Sequence, residues 1–195
     1  TITGPDATCQ GSPATFCGPA GNFSYLWSTG ATSQCISVGT AGTYSLTVTD
    51  LATGCRSSCS HDLRVNPLPA CSIVGPDAIC LGDQATLCGP FGPFDYQWST
   101  GATTNCITVT AGGVYTLTVI DHATGCRSTC SHDLRINPLP PCAIGGPAAI
   151  CQGDQAQLCG PTGGFTYLWS TGATSWCITV STAGLNAEPC ITRLV

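Results

Sequence analysis

The chain repeats itself every 71 residues, and that period limits what it can fold into more than any other feature. Cys9, Cys80 and Cys151 stand in register, as do Cys17, Cys88 and Cys159, and Cys35, Cys106 and Cys177. The string WSTGAT starts at Trp27, Trp98 and Trp169, and the stretch GCRSSCSHDLRVNPLP beginning at Gly54 returns almost unchanged at Gly125. Self-similarity at a fixed period means tandem copies of one small unit, each leaning on its neighbours. The expected units are 1–69, 70–140 and 141–195, with the proline-rich NPLP segments as short, stiff connectors. The third copy keeps the pattern to about Gly184. It then departs into LNAEPCITRLV, where a YxLTVxD strand and the CRSxCSHDLR segment are expected.

Within one copy the apolar period is two, not 3.6. In the middle copy Ala85 and Leu87, then Phe94, Tyr96 and Trp98, alternate with polar or small residues, followed by Ile107 and Val109, by Tyr115, Leu117 and Val119, and by Leu134 and Ile136. Gly, Pro, Asn or Asp bounds each run. Short alternating strands with turn signals between them predict an all-β fold of tandem sandwich repeats. Trp98 and Tyr115 are the expected largest members of one thin core. A 71-residue sandwich lies close to the size at which a core alone is marginal. The chain carries 16 Cys, five in 1–69 and six in 70–140, and a disulfide closing a loop of 15 or more residues contributes about 2–4 kcal/mol. Such density predicts an oxidising, extracellular or cell-surface setting.

Charge narrows the function classes. Ten acids oppose five cations, all Arg, for a net charge of −5, which argues against binding nucleic acid. With no Lys, isopeptide staples are excluded. No apolar run approaches the ~18 residues of a transmembrane helix, and no leader-like segment opens the sequence.

The order CxGDQATLCGP, YxWSTGATT, CITV, AGxYxLTVxD and TGC resembles the immunoglobulin-like tandem repeats of bacterial, Bacteroidota-type, surface adhesins and extracellular fibre proteins. The resemblance covers the first two copies and about two thirds of the third. It implies an immunoglobulin-like sandwich at an extracellular address, and repeats of this kind often serve as spacers.

Parity settles part of the cysteine pairing. Leu87 and Ile107 point inward, so Cys88 and Cys106 point outward on strands that neighbour each other in such a sandwich. The expected bridge Cys88–Cys106 has copies at Cys17–Cys35 and Cys159–Cys177. The resemblance implies the pairs Cys9–Cys55 and Cys80–Cys126. What then remains is Cys59–Cys71 and Cys130–Cys142, clamps across NPLP, and Cys151–Cys190, so that no thiol is left over. Six Cys, one full 71-residue set, allow 15 connectivities, and the pairings beyond the parity argument stay open among them.

Chemistry is sparse. Cys55, Cys59 and His61, repeated as Cys126, Cys130 and His132, have neither CxxC spacing nor a fourth ligand for zinc, and read as oxidised cysteines. Asp6, Asp77, Asp83 and Asp154 sit singly in turns without a calcium-loop pattern. His61 and Asp62, like His132 and Asp133, are adjacent on a strand and face opposite ways. His122 has Leu51 as its counterpart, and the single Glu is Glu188. The expectation is no enzyme, no metal and no cofactor. Outward Thr47, Thr49, Thr116 and Thr118 read as exposed strand residues, with sugar or ice binding as the alternative. Asn22-Phe23-Ser24 is a glycosylation sequon on a loop.

The expected function is a structural segment of an extracellular fibre or adhesin shaft, partnered by copies of itself. The alternatives are an adhesin module binding cell-surface glycans by avidity, and a non-catalytic appendage of a secreted enzyme. The shortened third copy is expected to be completed by another segment, such as a strand donated by the next subunit, and the 71-residue frame places a Cys immediately before Thr1.

Overall fold

The computed structural model describes residues 1–181, and everything in them is strand, turn or loop. In the first repeat β1 (Ala7–Cys9), β3 (Phe23–Trp27), β5 (Gly42–Asp50) and β6 (Arg56–Asn66) form one sheet in the order β1-β6-β5-β3. β2 (Ala14–Cys17) and β4 (Cys35–Val38) form the other. The second repeat has the same plan. Its larger sheet is β7 (Ala78–Cys80), β12 (Arg127–Asn137), β11 (Gly113–Asp121) and β9 (Phe94–Trp98), and its smaller one is β8 (Ala85–Cys88) with β10 (Cys106–Val109). These are small, disulfide-bridged, immunoglobulin-like β-sandwiches in tandem.

Each sandwich has its own core. Phe16, Trp27, Leu46 and Leu63 are buried in the first, and Leu87, Trp98, Leu117, Val119 and Leu134 in the second. Burying one Leu or Phe side chain contributes about 1.5–3 kcal/mol, so a set of eight core residues per repeat is a thin but sufficient centre. Tyr115 is only half-buried, unlike its buried counterpart Tyr44, although each hydroxyl donates to the carbonyl four residues earlier, Tyr115 to Ala111 at 2.7 Å and Tyr44 to Thr40 at 2.8 Å. The buried indoles keep a polar partner: Trp27 Nε1 donates to the Ser33 carbonyl and Trp98 Nε1 to that of Thr104, each at 2.8 Å. The WSTGAT turn thus folds back under its own Trp.

Contacts divide the chain into residues 1–136 and 137–195. The second unit contains β13 (Ala156–Cys159) paired with β14 (Cys177–Val180), over buried Ala156, Trp169 and Ile178. The expected completion of the third copy concerns residues 185–195, outside the described residues.

Candidate functional site: cysteines at the junction of repeats

Three bridges lie where strand parity places them. Cys17 faces Cys35, Cys88 faces Cys106 and Cys159 faces Cys177 in the ladders, each pair bonded with Cα atoms 4.1 Å apart. In the first two repeats the bridge ties the two strands of the smaller sheet, and in the third it ties β13 to β14.

The other cysteines differ from expectation, and the difference has a physical cause. Cys9 is bonded to Cys126, with Cα atoms 5.6 Å apart, and not to Cys55; Cys80 is accordingly not bonded to Cys126. Cys71 is bonded to Cys130, and neither Cys59–Cys71 nor Cys130–Cys142 forms. In the β5–β6 ladder Leu46 is opposite Cys59, and in β11–β12 Leu117 is opposite Cys130. Opposed residues share a face, so Cys59 and Cys130 point to the core side. Cys71 enters its own sandwich from the connector and meets Cys130 there, packed against that core. Cys71 and Cys130, each expected in a clamp between successive repeats, thus pair within the second repeat. Cys9 and Cys126, each expected to pair within its own repeat, instead join the first to the second.

That junction is built by two short devices. The first is the turn from Asp121 to Cys126. The Asp121 carboxylate accepts from the backbone NH groups of Ala123 (3.1 Å) and Thr124 (2.8 Å) and from the Thr124 hydroxyl (2.8 Å). These bonds, led by the Thr124 hydroxyl, hold the carboxyl below the usual Asp range. Asp121 NH donates to the Cys126 carbonyl at 2.9 Å, closing the turn around Gly125, whose φ of +70° favours glycine. The second device is the end of β1. Cys9 lies opposite Asn66 in a parallel ladder, Gln10 NH donates to the Asn66 carbonyl at 2.8 Å, and Ser12 NH donates to that of Cys9 at 2.9 Å. The connector is held as well, since Ser128 Oγ donates to the Pro69 carbonyl at 2.6 Å. Cys126 is fully buried where these pieces meet.

The same devices recur without a bond. In the first repeat Asp50 accepts from Ala52 NH (2.7 Å) and Thr53 NH (3.0 Å), and Asp50 NH donates to the Cys55 carbonyl at 2.9 Å. The Thr53 and Ala52 bonds likewise lower the Asp50 carboxyl below its ordinary range. Cys55 is exposed there. At the end of β7, Asp83 NH donates to the Cys80 carbonyl at 3.0 Å, and Cys80 is exposed. Cys59, half-buried, also carries no disulfide, so both complete repeats retain thiols, contrary to the expectation that none would be left. Cys151 is exposed, and its expected partner Cys190 lies outside the described residues.

The remaining candidates serve the strands. His61 Nε2 lies 3.2 Å from Asp6 and 3.4 Å from the Pro5 carbonyl, and His132 Nε2 lies 3.0 Å from the Pro76 carbonyl, so these rings tie the segment before β1 or β7 to the last strand. His122 Nε2 contacts Asp95 at 2.6 Å on the exposed edge. Among the described residues no three His, Cys, Asp or Glu side chains gather as a metal site would need. Thr47 bonds Ser58 at 3.0 Å and Thr118 bonds Thr129 at 3.1 Å across strands, using these outward hydroxyls on each other. Asn22 is exposed in the turn before β3, while Pro93 and Asp95 stand where the second repeat would need Asn and Ser for a sequon. No described helix is long and apolar enough to cross a membrane.

No protein-family model and no curated protein matches the chain. Among solved structures it is similar to three N-terminal domains of the highly immunogenic outer capsid protein Hoc of bacteriophage RB49. The identity is 16%, over 92% of this chain and 78% of that one, with a TM-score of 0.38. It is also similar to the insect immune protein hemolin (15% identity, 70% of this chain and 46% of that one, TM-score 0.33). A four-domain fragment of Dscam1 matches at 14% identity over 67% of this chain and 43% of that one, with a TM-score of 0.31.

Proposed function

We propose that the chain is a non-catalytic structural segment of an extracellular fibre or adhesin shaft, with copies at 1–69, 70–140 and 141–195. The observation that carries this reading is the bridge Cys9–Cys126. It bonds one sandwich to the next, over a buried sulfur, beside a connector held by Ser128. Domains in tandem move relative to one another unless their interface is large or fixed. A covalent bond at the far side of a proline-rich connector removes that freedom, and a stiff array of near-identical units then transmits length and direction. The resemblance of the repeat motifs to those of bacterial surface fibres, and the five disulfides among the described residues, agree with an oxidising location outside the cell. A glycan at Asn22 would add hydration to a surface of low charge.

Electron microscopy of the oxidised chain tests the proposal. Ordered filaments or straight rods support it. Single particles that bend freely between repeats, or selective binding on a glycan array, would instead favour the adhesin module.

A further inference from the structure

We infer that the end of the second repeat bearing Phe91 is a pairing surface for a second copy of this chain. In the pair the two Phe91 rings meet, and Asp95 and His122 of each copy bond those of the other. The inference goes beyond the array reading above, since it concerns chains side by side and not the succession of repeats along one chain.

The surface is marked by how the second repeat departs from the first. Ala20, Asn22, Ser24 and Leu51 of the first repeat are matched by Phe91, Pro93, Asp95 and His122. These four occupy the loop before β9, the start of β9 and the turn after β11. The backbone beneath them is shared: Leu51 NH donates to the Asn22 carbonyl at 3.1 Å, and His122 NH to that of Pro93 at 3.2 Å. The scaffold is kept while the side chains change. Phe91 is 97% exposed, the highest value among the large apolar side chains described, and its loop is pinned on both sides. Asn105 Nδ2 donates to the carbonyls of Gly89 (3.1 Å) and Pro90 (3.0 Å), and the Tyr96 hydroxyl donates to that of Pro90 at 2.8 Å. On the other side Phe94 NH donates to the Gly92 carbonyl at 2.9 Å, and a Cβ on Gly92 would lie 2.5 Å from the Phe94 ring. Pro90 and Pro93 fix φ at both ends of the tip. The ring is thus held out in water on a preorganised tip, which lowers the ordering cost of using it as an aromatic anchor.

A projecting ring has no second wall to enclose a small ligand, so it fits a macromolecular surface. Charge selects a second copy. Asp95 and His122, both mostly exposed, meet at 2.6 Å at the base of the loop. That contact leaves a second oxygen on the carboxylate and a second nitrogen on the imidazole. A patch that carries its own acid and its own base is self-complementary: about a two-fold axis, each His122 faces Asp95 of the other copy. The patch is also continuous with an interface the chain already makes, because the turn holding His122 ends at Cys126, which is bonded to the first repeat. Thr162 stands at the Phe91 position in the third copy, so the ring occurs once per chain and joins two chains as a closed pair. One ring and two ion pairs make a weak contact between single chains, and tandem arrays would multiply it by avidity.

The test is sedimentation equilibrium of the full chain over a concentration series, with disulfides intact and exposed thiols alkylated so that no covalent dimer forms. The inference predicts a reversible dimer. Phe91→Ala loses the dimer and keeps the thermal melting temperature, because the ring is exposed in its own repeat. Asp95→Arg and His122→Glu are each monomeric alone, the first setting cation against imidazole and the second acid against acid. An equal mixture of the two recovers the dimer, since each chain supplies the charge that the other lacks. A parent chain that stays monomeric throughout the series, a dimer that survives Phe91→Ala, or a mixture that stays monomeric overturns the pairing. Ordered single filaments of a monomeric chain would overturn the pairing and leave the proposed function standing. Dimers whose chains bend freely between repeats would do the reverse.

Discussion

The turns ending at Cys55 and Cys126 are the same device in two settings. Both are opened by an Asp whose carboxylate holds the next backbone NH groups, and both pass through a left-handed glycine. One cysteine is exposed, while the other is fully buried and bonded to a neighbouring sandwich. Local sequence thus determines how a cysteine is presented, and stacking of repeats determines what it meets. In a tandem array a residue's environment belongs to the junction as much as to the repeat.

Three kinds of substitution separate the two settings. The largest effect belongs to the cores. If the two sandwiches differ only at the junction, Trp27→Ala and Trp98→Ala each cost about 3–5 kcal/mol, since each removes the largest buried side chain of an equivalent cluster. Guanidinium denaturation checks this, and a cost confined to one repeat would show that the cores are not equivalent. Next comes the bridge. Cys126→Ala should cost about 2–4 kcal/mol under non-reducing conditions, whereas Cys55→Ala should stay within about 0.5 kcal/mol. Equal costs would mean that Cys55 is bonded too.

The smallest effect is acid sensitivity. The carboxyls of Asp50 and Asp121 are held below the ordinary Asp range when folded, Asp50 mainly by Thr53 and Ala52 NH and Asp121 mainly by the Thr124 hydroxyl and NH. A depressed folded pKa contributes stability above the unfolded value of about 3.9, and that contribution is lost as pH falls through the folded value. Asp50→Asn and Asp121→Asn should therefore flatten the decline in thermal stability below pH 4, each to a similar degree. A steepened decline in either would contradict this sign.

Much of this was legible in residue order. The two-residue period of Tyr44, Leu46 and Val48 marks β5, and the inward parity of Leu87 and Ile107 puts Cys88 opposite Cys106. Parity could also have been carried along the last strand: Leu134 points inward, so Cys130, four residues earlier, does too, out of reach of an outer clamp. What parity cannot reach is which repeat supplies a partner. Cys9 lies the same way whether it meets Cys55 or Cys126, because those two are copies. Only the stacking geometry separates them, and that geometry comes from the connector and from the burial of Cys126.

The first repeat is bonded to the second through Cys9. Peptide mapping of the unreduced, alkylated chain tests it directly, with a protease other than trypsin because the chain has only five Arg and no Lys. A disulfide-linked peptide pair containing Cys9 and Cys126, with Cys55 recovered alkylated, is the predicted result. Recovery of Cys9 linked to Cys55 would contradict it, leaving the two sandwiches joined by the connector alone.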